Sequence, residues 1–566
     1  MSLVQTIRKY ALQNAVRYEG KANPGNIIGK IMGESPEYRA KAKEVQKQIA
    51  LACNEINALS IEQQRDELLK IAPELLEEKK EPKREILKAL PLAQPGKVVM
   101  RFEPSPSGPM HIGHTYPLML NYAYCKLYDG KLILRIADTN SDNIYDPAYE
   151  MLIADFHWLC PDVKKEVVVQ SDRMEIYYKY ASKLIQEMHA YVCTCTGDEF
   201  RVYSAKKTPC PCREKGRNQH EKSWAGMLDG TIEEGGAVVR LKTDIAHPNP
   251  AMRDFPLLRI NESEHPRQGK KYRVWPLLNF AVAIDDHDMG LTHVLRGKDH
   301  FDNTKRQKYI FDYFGWTNPH YIHIGRINFE GIRLKTTTTR HEIEEGTYDD
   351  WDDLRLPFLP ALRRRGYQPH AFERYALSVG VTMNDKSVEA NEFFKTINFF
   401  NKEKIEPTSN RYFFVENPKE ITVSQAPMQS VELDLHPDYK KGGRHFETTD
   451  TFLISQEDYE GMLNGELIRF MDCLNFRKRM EDFIFVSVSY VDFKKENGKK
   501  IIHWLPAESK HITAQLIDDQ NKIHYGHCEY AIKNIKQGDI VQFERQCYAR
   551  LDKKADDAYV FVFTHK

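Results

Sequence analysis

"VVMRFEPSPSGPMHIGHTYPLMLNYAYCKLYDGKLILRIADTN", Val98 to Asn140, decides the fold class. A short apolar run leads into a loop of Pro, Ser and Gly, and a helix-like segment follows. A turn at Asp129-Gly130 then opens a second apolar run. Strand, loop, helix, turn, strand is one βαβ unit, the building block of a parallel sheet. Within the loop "PSPSGPMHIGH" (Pro104 to His114), Gly108 and Gly113 let a ligand approach the backbone. The helix behind it begins with unpaired N–H groups and the positive end of a dipole, which suits phosphate. His111 and His114 can add hydrogen bonds to phosphate oxygens. Two histidines three residues apart, taken alone, more often mark an ordinary surface loop. The strand–loop–helix setting is what points to a nucleotide.

Around this unit the chain is too long for a single core, with 566 residues. Apolar content of 41% and charged content of 29% fit an ordinary globular protein. There is no continuous apolar run long enough to span a bilayer, and "MSLVQTIRKYALQNAVRYEG" lacks the apolar block and cleavage site of a signal peptide. The expected location is the cytoplasm, with no membrane contact. The 81 basic and 81 acidic residues cancel, and a neutral sum neither supports nor excludes nucleic acid, because a basic stripe can sit on a neutral chain.

Residues 1 to about 90 are rich in Lys, Glu, Ala and Leu with helix-period apolar spacing, and "PLAQPGK" (Pro91 to Lys97) punctuates them as a linker. After about residue 400 the chain becomes a series of short β-rich runs: "RYFFVENPKEITV", "DFIFVSVSYVDFK", "KKIIHWLP", "HITAQLID" and "AYVFVFTH". Turn-separated runs of this kind predict one or two all-β barrels. Between them, "GIRLKTTTTRHEIEEG" (Gly331 to Gly346) places four threonines in a row, a poor helix former that predicts a mobile loop.

Six of the ten cysteines are scattered and read as buried thiols. The other four, Cys193, Cys195, Cys210 and Cys212, form two C-x-C pairs around a short helix-like insert. Four thiolates suit tetrahedral Zn2+, which makes a structural zinc the expectation and four uncoordinated thiols the alternative.

"RFEPSPSGPMHIGH" resembles the HIGH signature of class I aminoacyl-tRNA synthetases, glutamyl branch. The resemblance runs in order through "LILRIADTN", "DFHWL", "VVVQSDRMEIYYKYASKLI", "IDDHDMGLTHVLRGKDHFDN", "WDDLRLPFLPALRRRG", "NRYFFV" and "IHWLP", over roughly residues 90 to 566. The architecture is most similar to the archaeal-type glutamyl-tRNA synthetases. It implies a multidomain protein with a helical N-terminal appendage (1–92) and a Rossmann-like α/β catalytic domain in two halves (93–190 and 256–330). A zinc-type insertion toward the tRNA acceptor end (191–255) separates the halves. A mobile signature loop with a helical connector (331–400) and β-barrels for the anticodon (401–566) complete the chain.

The implied reaction is ATP-dependent activation of glutamate with Mg2+, then transfer of the acyl group to the 3′ end of tRNA-Glu, with charging of tRNA-Gln left open. By resemblance, Gly108, His111, Gly113 and His114 hold ATP, with the two histidines also catalytic. Arg101, Ser105 and Arg296 face the substrate. A γ-carboxylate calls for a fixed guanidinium, and Arg296 is the position that favours glutamate over glutamine. A structural arginine paired with Asp299 or Asp302 is the alternative there.

Three positions depart from the family pattern. Ala137 replaces an acid that meets the α-ammonium, Leu278 replaces a tyrosine, and Thr338 stands where the KMSKS-type loop carries its lysine. Loss of a charged hydrogen bond costs roughly 1.5–3 kcal/mol, and loss of a preorganised charge donor on the order of 10²–10³ in rate. Lys335 and Arg340 flank the gap as substitute catalytic cations. A degenerate relative that binds tRNA or nucleotide without efficient activation is the alternative function. For tRNA, "LRRRG" (Leu362 to Gly366) and the basic-aromatic runs "FRKRMEDF", "YKKGGRHF" and "VDFKKENGKK" are the candidate contacts. The N-terminal helical region is the candidate docking segment for a protein partner.

Overall fold

A computed structural model describes residues 3–17, 20–25, 27, 28, 31, 42–72, 87–555 and 558–566. The helix-period expectation over residues 73–86 lies outside them. The chain separates into two compact units, Met1–Ile86 and Leu87–Lys566. The first contains helices Leu3–Arg17, Ala42–Asn57 and Ile61–Ile71. Their apolar faces supply a core that includes Ile7, Leu12, Ile49, Ile56 and Leu68. Ser60 starts the third helix in a reciprocal capping box with Gln63.

The second unit is built on the βαβ pattern. Strands Val99–Phe102, Lys131–Ile136 and Lys164–Val169 pair in parallel, with Met100 opposite Leu132 and Leu132 opposite Lys165. Helix Ile112–Leu127 crosses over between the first two and buries Tyr116 and Leu120 on Met100, Leu132 and Leu134. On the other side of the first strand lies His293–Gly297, itself parallel to His320–Ile324. The Thr292 N–H donates to the Val99 carbonyl at 3.1 Å, and the Val99 N–H donates to Thr292 Oγ1 at 3.0 Å. The first strand is therefore central, and the chain leaves it toward both sides. In open α/β sheets this is where a crevice opens beyond the carboxyl ends of the strands. The loops at Glu103–His111, Ala137–Asn140 and Gly297–His300 all start there.

A four-stranded antiparallel sheet (Ala190–Cys193, Val238–Leu241, Pro256–Ile260, Val274–Pro276) is inserted between the halves. It leads back through helix Leu278–Asp288, which carries two consecutive acids into the core. Adjacent helical residues diverge by about 100°, so Asp285 and Asp286 serve different partners. Asp285 Oδ2 accepts from Arg135 Nε at 2.6 Å and from the Tyr177 hydroxyl at 2.6 Å, while Oδ1 accepts from Arg173 Nε at 2.7 Å. Second strand, helix Met174–Gln186 and helix Leu278–Asp288 are joined through one buried carboxylate.

The threonine run differs from the expectation of a mobile loop. Residues Thr336–Glu344 form an α-helix. The propensity cost of a β-branched residue is only a few tenths of a kcal/mol, and tertiary contacts outweigh it. Thr339 is buried, and Thr336 Oγ1 lies 2.9 Å from Ser107 Oγ in the phosphate loop.

Beyond residue 409 the chain forms two seven-stranded sheets, the barrel-like pair expected from the short β-rich runs. In each, the two outermost strands are near-consecutive in the chain: Asn410–Tyr412 and Phe414–Glu416 in one, Lys500–Ile502 and Leu505–Pro506 in the other. Each sheet thus curls until its ends meet at one bend. Arg364 and Arg365 of the expected tRNA-contacting "LRRRG" face this region internally. Arg364 binds Asp552 at 2.9 and 3.0 Å, and Arg365 donates to the Thr564 carbonyl at 3.0 Å. Of the three arginines only Arg363 is exposed. No helix among the described residues is long and apolar enough to cross a membrane.

Removing one member of a buried ion cluster leaves its partners uncompensated, which costs about 3–5 kcal/mol. The Asp285→Ala variant should lose that much from the unfolding free energy of the catalytic body. Urea denaturation followed by tryptophan fluorescence checks it, and a loss under about 1 kcal/mol would show that the cluster is not a structural tie.

Candidate active site

The phosphate loop is rigid for reasons visible in its neighbours. His111 caps helix Ile112–Leu127, its Nδ1 accepting from the Gly113 N–H at 3.1 Å. The His111 N–H in turn donates to His114 Nδ1 at 3.3 Å. The two rings stack with centroids 3.8 Å apart. Each Nδ1 is an acceptor, so in the neutral ring the proton sits on Nε2, free to donate to a ligand. Both rings are held neutral. Burial, with a smaller contribution from His114, pushes His111 well below the ordinary histidine value, and burial takes His114 down to about 4.

Three further bonds brace the loop: the Met110 N–H to Asp155 Oδ2 at 2.9 Å, the Ile112 N–H to the Pro357 carbonyl at 3.2 Å, and the Leu359 N–H to the Met110 carbonyl at 2.8 Å. Gly108 leaves little room for a side chain, since a Cβ would meet Thr336 and Trp351 at 3.1 Å and one of them would have to give way. A Cβ on Gly113 would meet the His111 ring at 2.9 Å. Both glycines are needed for close approach rather than for a special φ.

Next to this loop lies the expected amino-acid pocket. Arg101, on the first strand, is fully engaged. Its Nε and Nη2 grip Asp286 at 2.5 and 3.0 Å, and Nη1 lies 3.1 Å from Glu103. Arg296, at the end of the His293–Gly297 strand, is different. It is 6% exposed and donates through Nη2 to Thr304 at 2.5 Å and to Gln307 at 2.8 Å, with its Nε unpartnered among the described residues. Neither Asp299 nor Asp302 pairs with it, so the alternative of a purely structural ion pair does not describe it. Burial first, then the neighbouring Arg101, lowers its pKa, the mark of a cation short of counter-charge.

The buried hydroxyl of Tyr321, whose ring lies 5.2 Å below the Arg296 guanidinium, is also without a partner. Ser105 Oγ donates to the Ala137 carbonyl at 3.3 Å, and the Ala137 N–H donates to the Pro104 carbonyl at 3.0 Å, so these two positions lie side by side. Leu278 is 41% exposed at the first turn of its helix. Asp138, the acid that remains beside Ala137, is buried in hydrogen bonds to Ser171 and Tyr149.

The signature helix brings its own residues to the loop. Lys335 is its N-cap, exposed and without an ion pair among the described residues, while Thr338 is half-buried. Arg340 lies 5.4 Å over the Tyr145 ring and 3.7 Å from Glu344. Lys335 is thus the more open of the two expected substitute cations, while Arg340 is half-buried with a long ion pair and no hydrogen-bond partner on its Nε among the described residues.

In the insertion, the sulfurs of Cys193, Cys195, Cys210 and Cys212 lie within 4.8 Å of one another. The Cys193–Cys210 and Cys195–Cys212 separations are 3.9 and 3.8 Å. A zinc–sulfur bond of about 2.3 Å gives a tetrahedron with edges of about 3.8 Å, so the four residues fit the ion. The Thr194 N–H to Cys212 Sγ contact at 3.4 Å and the Tyr191 hydroxyl 3.7 Å from Cys210 Sγ give the thiolates supporting donors.

Sequence reasoning missed Glu103, Arg135, Asp285 and Asp286. The adjacent acids in "IDDHD" on an otherwise apolar helix were the available signal, since acids are buried only with partners. Nothing in the sequence indicated which arginines those partners would be.

Comparison with known proteins agrees along the whole chain. A family model described as the catalytic domain of class I tRNA synthetases (E and Q) matches residues 97–407. Two described as anti-codon binding domains of the same class match 409–489 and 501–552. A glutamate–tRNA ligase of Methanococcus maripaludis is 41% identical over 565 residues, covering 99% of this chain and 100% of that one. Another, from Pyrococcus furiosus, is 42% identical over 582 residues and covers both chains completely. A solved glutamate tRNA ligase from Elizabethkingia meningosepticum superposes over 56% of this chain and 70% of its own, at 21% identity and a TM-score of 0.39.

The neutral His114 has a consequence for stability. Its folded pKa lies below the ordinary value, so between pH 6.5 and about 4 the unfolded chain takes up a proton that the native ring refuses. Stability is retained above that window and lost as pH falls through it, by about 2 kcal/mol between pH 7 and pH 5 for this group. The His114→Asn variant should lose that share of the acid sensitivity. Unfolding curves at pH 7 and pH 5 measure it, and equal pH dependence in variant and wild type would contradict the neutral, buried ring.

Proposed function

Because this chain belongs to the glutamate/glutamine branch of the class I tRNA synthetases, we propose the following division of labour for a glutamate–tRNA ligase. ATP lies along the phosphate loop, where the Nε2–H groups of His111 and His114 donate to its phosphates. Glutamate enters beside Ser105 and Ala137 with its side chain toward Arg296. The α-carboxylate of glutamate attacks the α-phosphate, pyrophosphate leaves, and the resulting glutamyl-adenylate transfers its acyl group to the 3′ end of tRNA-Glu. The protein supplies position and charge stabilisation rather than a covalent intermediate. The observation that carries the glutamate assignment is Arg296, a buried guanidinium with no carboxylate on it. A γ-carboxylate completes it in a way a neutral amide does not.

Mg2+ would arrive with ATP. Among the described residues the cysteines are the one grouping of potential metal ligands, so phosphate oxygens would hold it and its charge would ease pyrophosphate departure. With Thr338 in the lysine position, Lys335 is the cation we assign to the leaving phosphates. The barrels matched by the anti-codon models receive the tRNA, and the proposed location is the cytoplasm. The first compact unit is the segment on which a protein partner would dock.

ATP–pyrophosphate exchange dependent on glutamate, measured with tRNA present, tests the reading. Exchange should fall on the order of 10²-fold in His111→Ala and rise in Thr338→Lys and in Ala137→Glu. Wild-type exchange no higher than that of His111→Ala would sink it. For the insertion, metal analysis should give one zinc per chain. Chelation should lower the melting temperature, an effect abolished in Cys210→Ser; a protein free of zinc after purification without chelator would remove the site.

A further inference from the structure

We infer that Glu103 is a specificity-setting residue of the amino-acid pocket, holding Arg101 and Arg135 away from an incoming carboxylate so that glutamate is anchored by Arg296 alone. This rests on the ligase reading above. Glu103 follows the first strand, two residues beyond Arg101 and on the same side by strand alternation. Its Oε2 lies 3.1 Å from Arg101 Nη1 and 3.3 Å from Arg135 Nη1, and the side chain is 17% exposed.

Most nitrogens of the two arginines face a carboxylate. Arg101 gives Nε and Nη2 to Asp286 and Nη1 to Glu103. Arg135 gives Nε to Asp285 and Nη1 to Glu103, while its buried Nη2 has no hydrogen-bond partner among the described residues. With Glu103 in place each of the three Arg101 nitrogens faces a carboxylate, so its charge is compensated before a ligand arrives, although Arg101 is one of the two arginines expected to face the pocket. Asp286 is fully buried behind Arg101, so Glu103 is the carboxylate on the side a ligand approaches. Its charge also acts on Arg296 and is felt by His300 at the pocket wall.

An anionic substrate therefore meets one guanidinium where two stand close, together with the like charge of Glu103. Like charges at short range disfavour each other, and this is worth about tenfold in an equilibrium constant for a partly buried pair. A neutral amino acid meets no such repulsion. Glu103 thus narrows the margin by which glutamate is preferred over glutamine. A residue that merely braced the two strands would act in the opposite sense, since its removal would loosen the pocket and weaken every ligand. The direction of the change separates the two roles.

The test uses the full chain as wild type, Glu103→Gln, Glu103→Ala and Glu103→Asp, with calorimetric titration of glutamate and of glutamine. Glutamate should bind on the order of tenfold more tightly to the Gln and Ala variants. Glutamine should change by less than about twofold, and Asp, which keeps the charge, should behave like wild type. In the exchange assay KM for glutamate should fall in the Gln and Ala variants, by more than any change in the KM for ATP. Melting curves establish that the variants are folded at the temperature of titration. Glutamate affinity that stays the same or weakens in both Gln and Ala overturns the inference. Absence of exchange in the wild type would count against the ligase reading, while the binding shift would still decide the role of Glu103.

Discussion

The catalytic body depends on compensated charge at the point where the parallel sheet changes direction. Asp285 and Asp286 are fully buried on one helix, and between them they hold Arg101, Arg135 and Arg173 from two strands and a helix start. Buried carboxylates and guanidiniums are costly unless each finds its partner in good geometry. The arrangement therefore tolerates few others, and it fixes how the two halves of the divided domain meet. The βαβ unit alone would leave the His293–Gly297 strand free to shift along its neighbour. The Thr292–Val99 bonds set its position.

That frame creates the chemistry by leaving one group unserved. Arg101 sits beside two carboxylates and presents little free charge, whereas Arg296, a strand away, has only a hydroxyl and an amide. The phosphate loop shows the same logic with neutral groups. Burial keeps His111 and His114 uncharged, and their Nδ1 atoms are spent on backbone N–H groups, so both present Nε2–H donors in one orientation. Preorganised donors of this kind need no rearrangement when charge develops on a phosphate. The signature helix closes over the same loop through Thr336, on the side where Gly108 leaves space.

The family resemblance and the overall plan were legible in the sequence because they rest on local patterns. The glycine-rich turn, the helix start at His111 and the alternation of short β-rich runs do not depend on distant partners. The paired C-x-C segments were legible for the same reason, and the structure brings the four sulfurs to a spacing that fits zinc. The threonine run was misread as a loop because intrinsic propensity favoured one. The helix it forms is sustained by contacts to Ser107 and by burial of Thr339, more than two hundred residues from the loop it covers. Arg364 and Arg365 looked like phosphate contacts until their partners Asp552 and Thr564 were in view.

By itself, then, the sequence determined which elements form and which chemistry they carry: a phosphate loop on a parallel sheet, a four-cysteine insertion and β-rich domains at the end of the chain. Tertiary structure decided which of its charges are spent and which are available. Arginines 101, 135 and 296 are indistinguishable as letters. Their roles diverge because a guanidinium's reactivity toward a ligand is set by the carboxylates within about 3 Å of it: those at 285 and 286 are brought there by the packing of the two halves, and Glu103 meets Arg135 through the pairing of the first two strands.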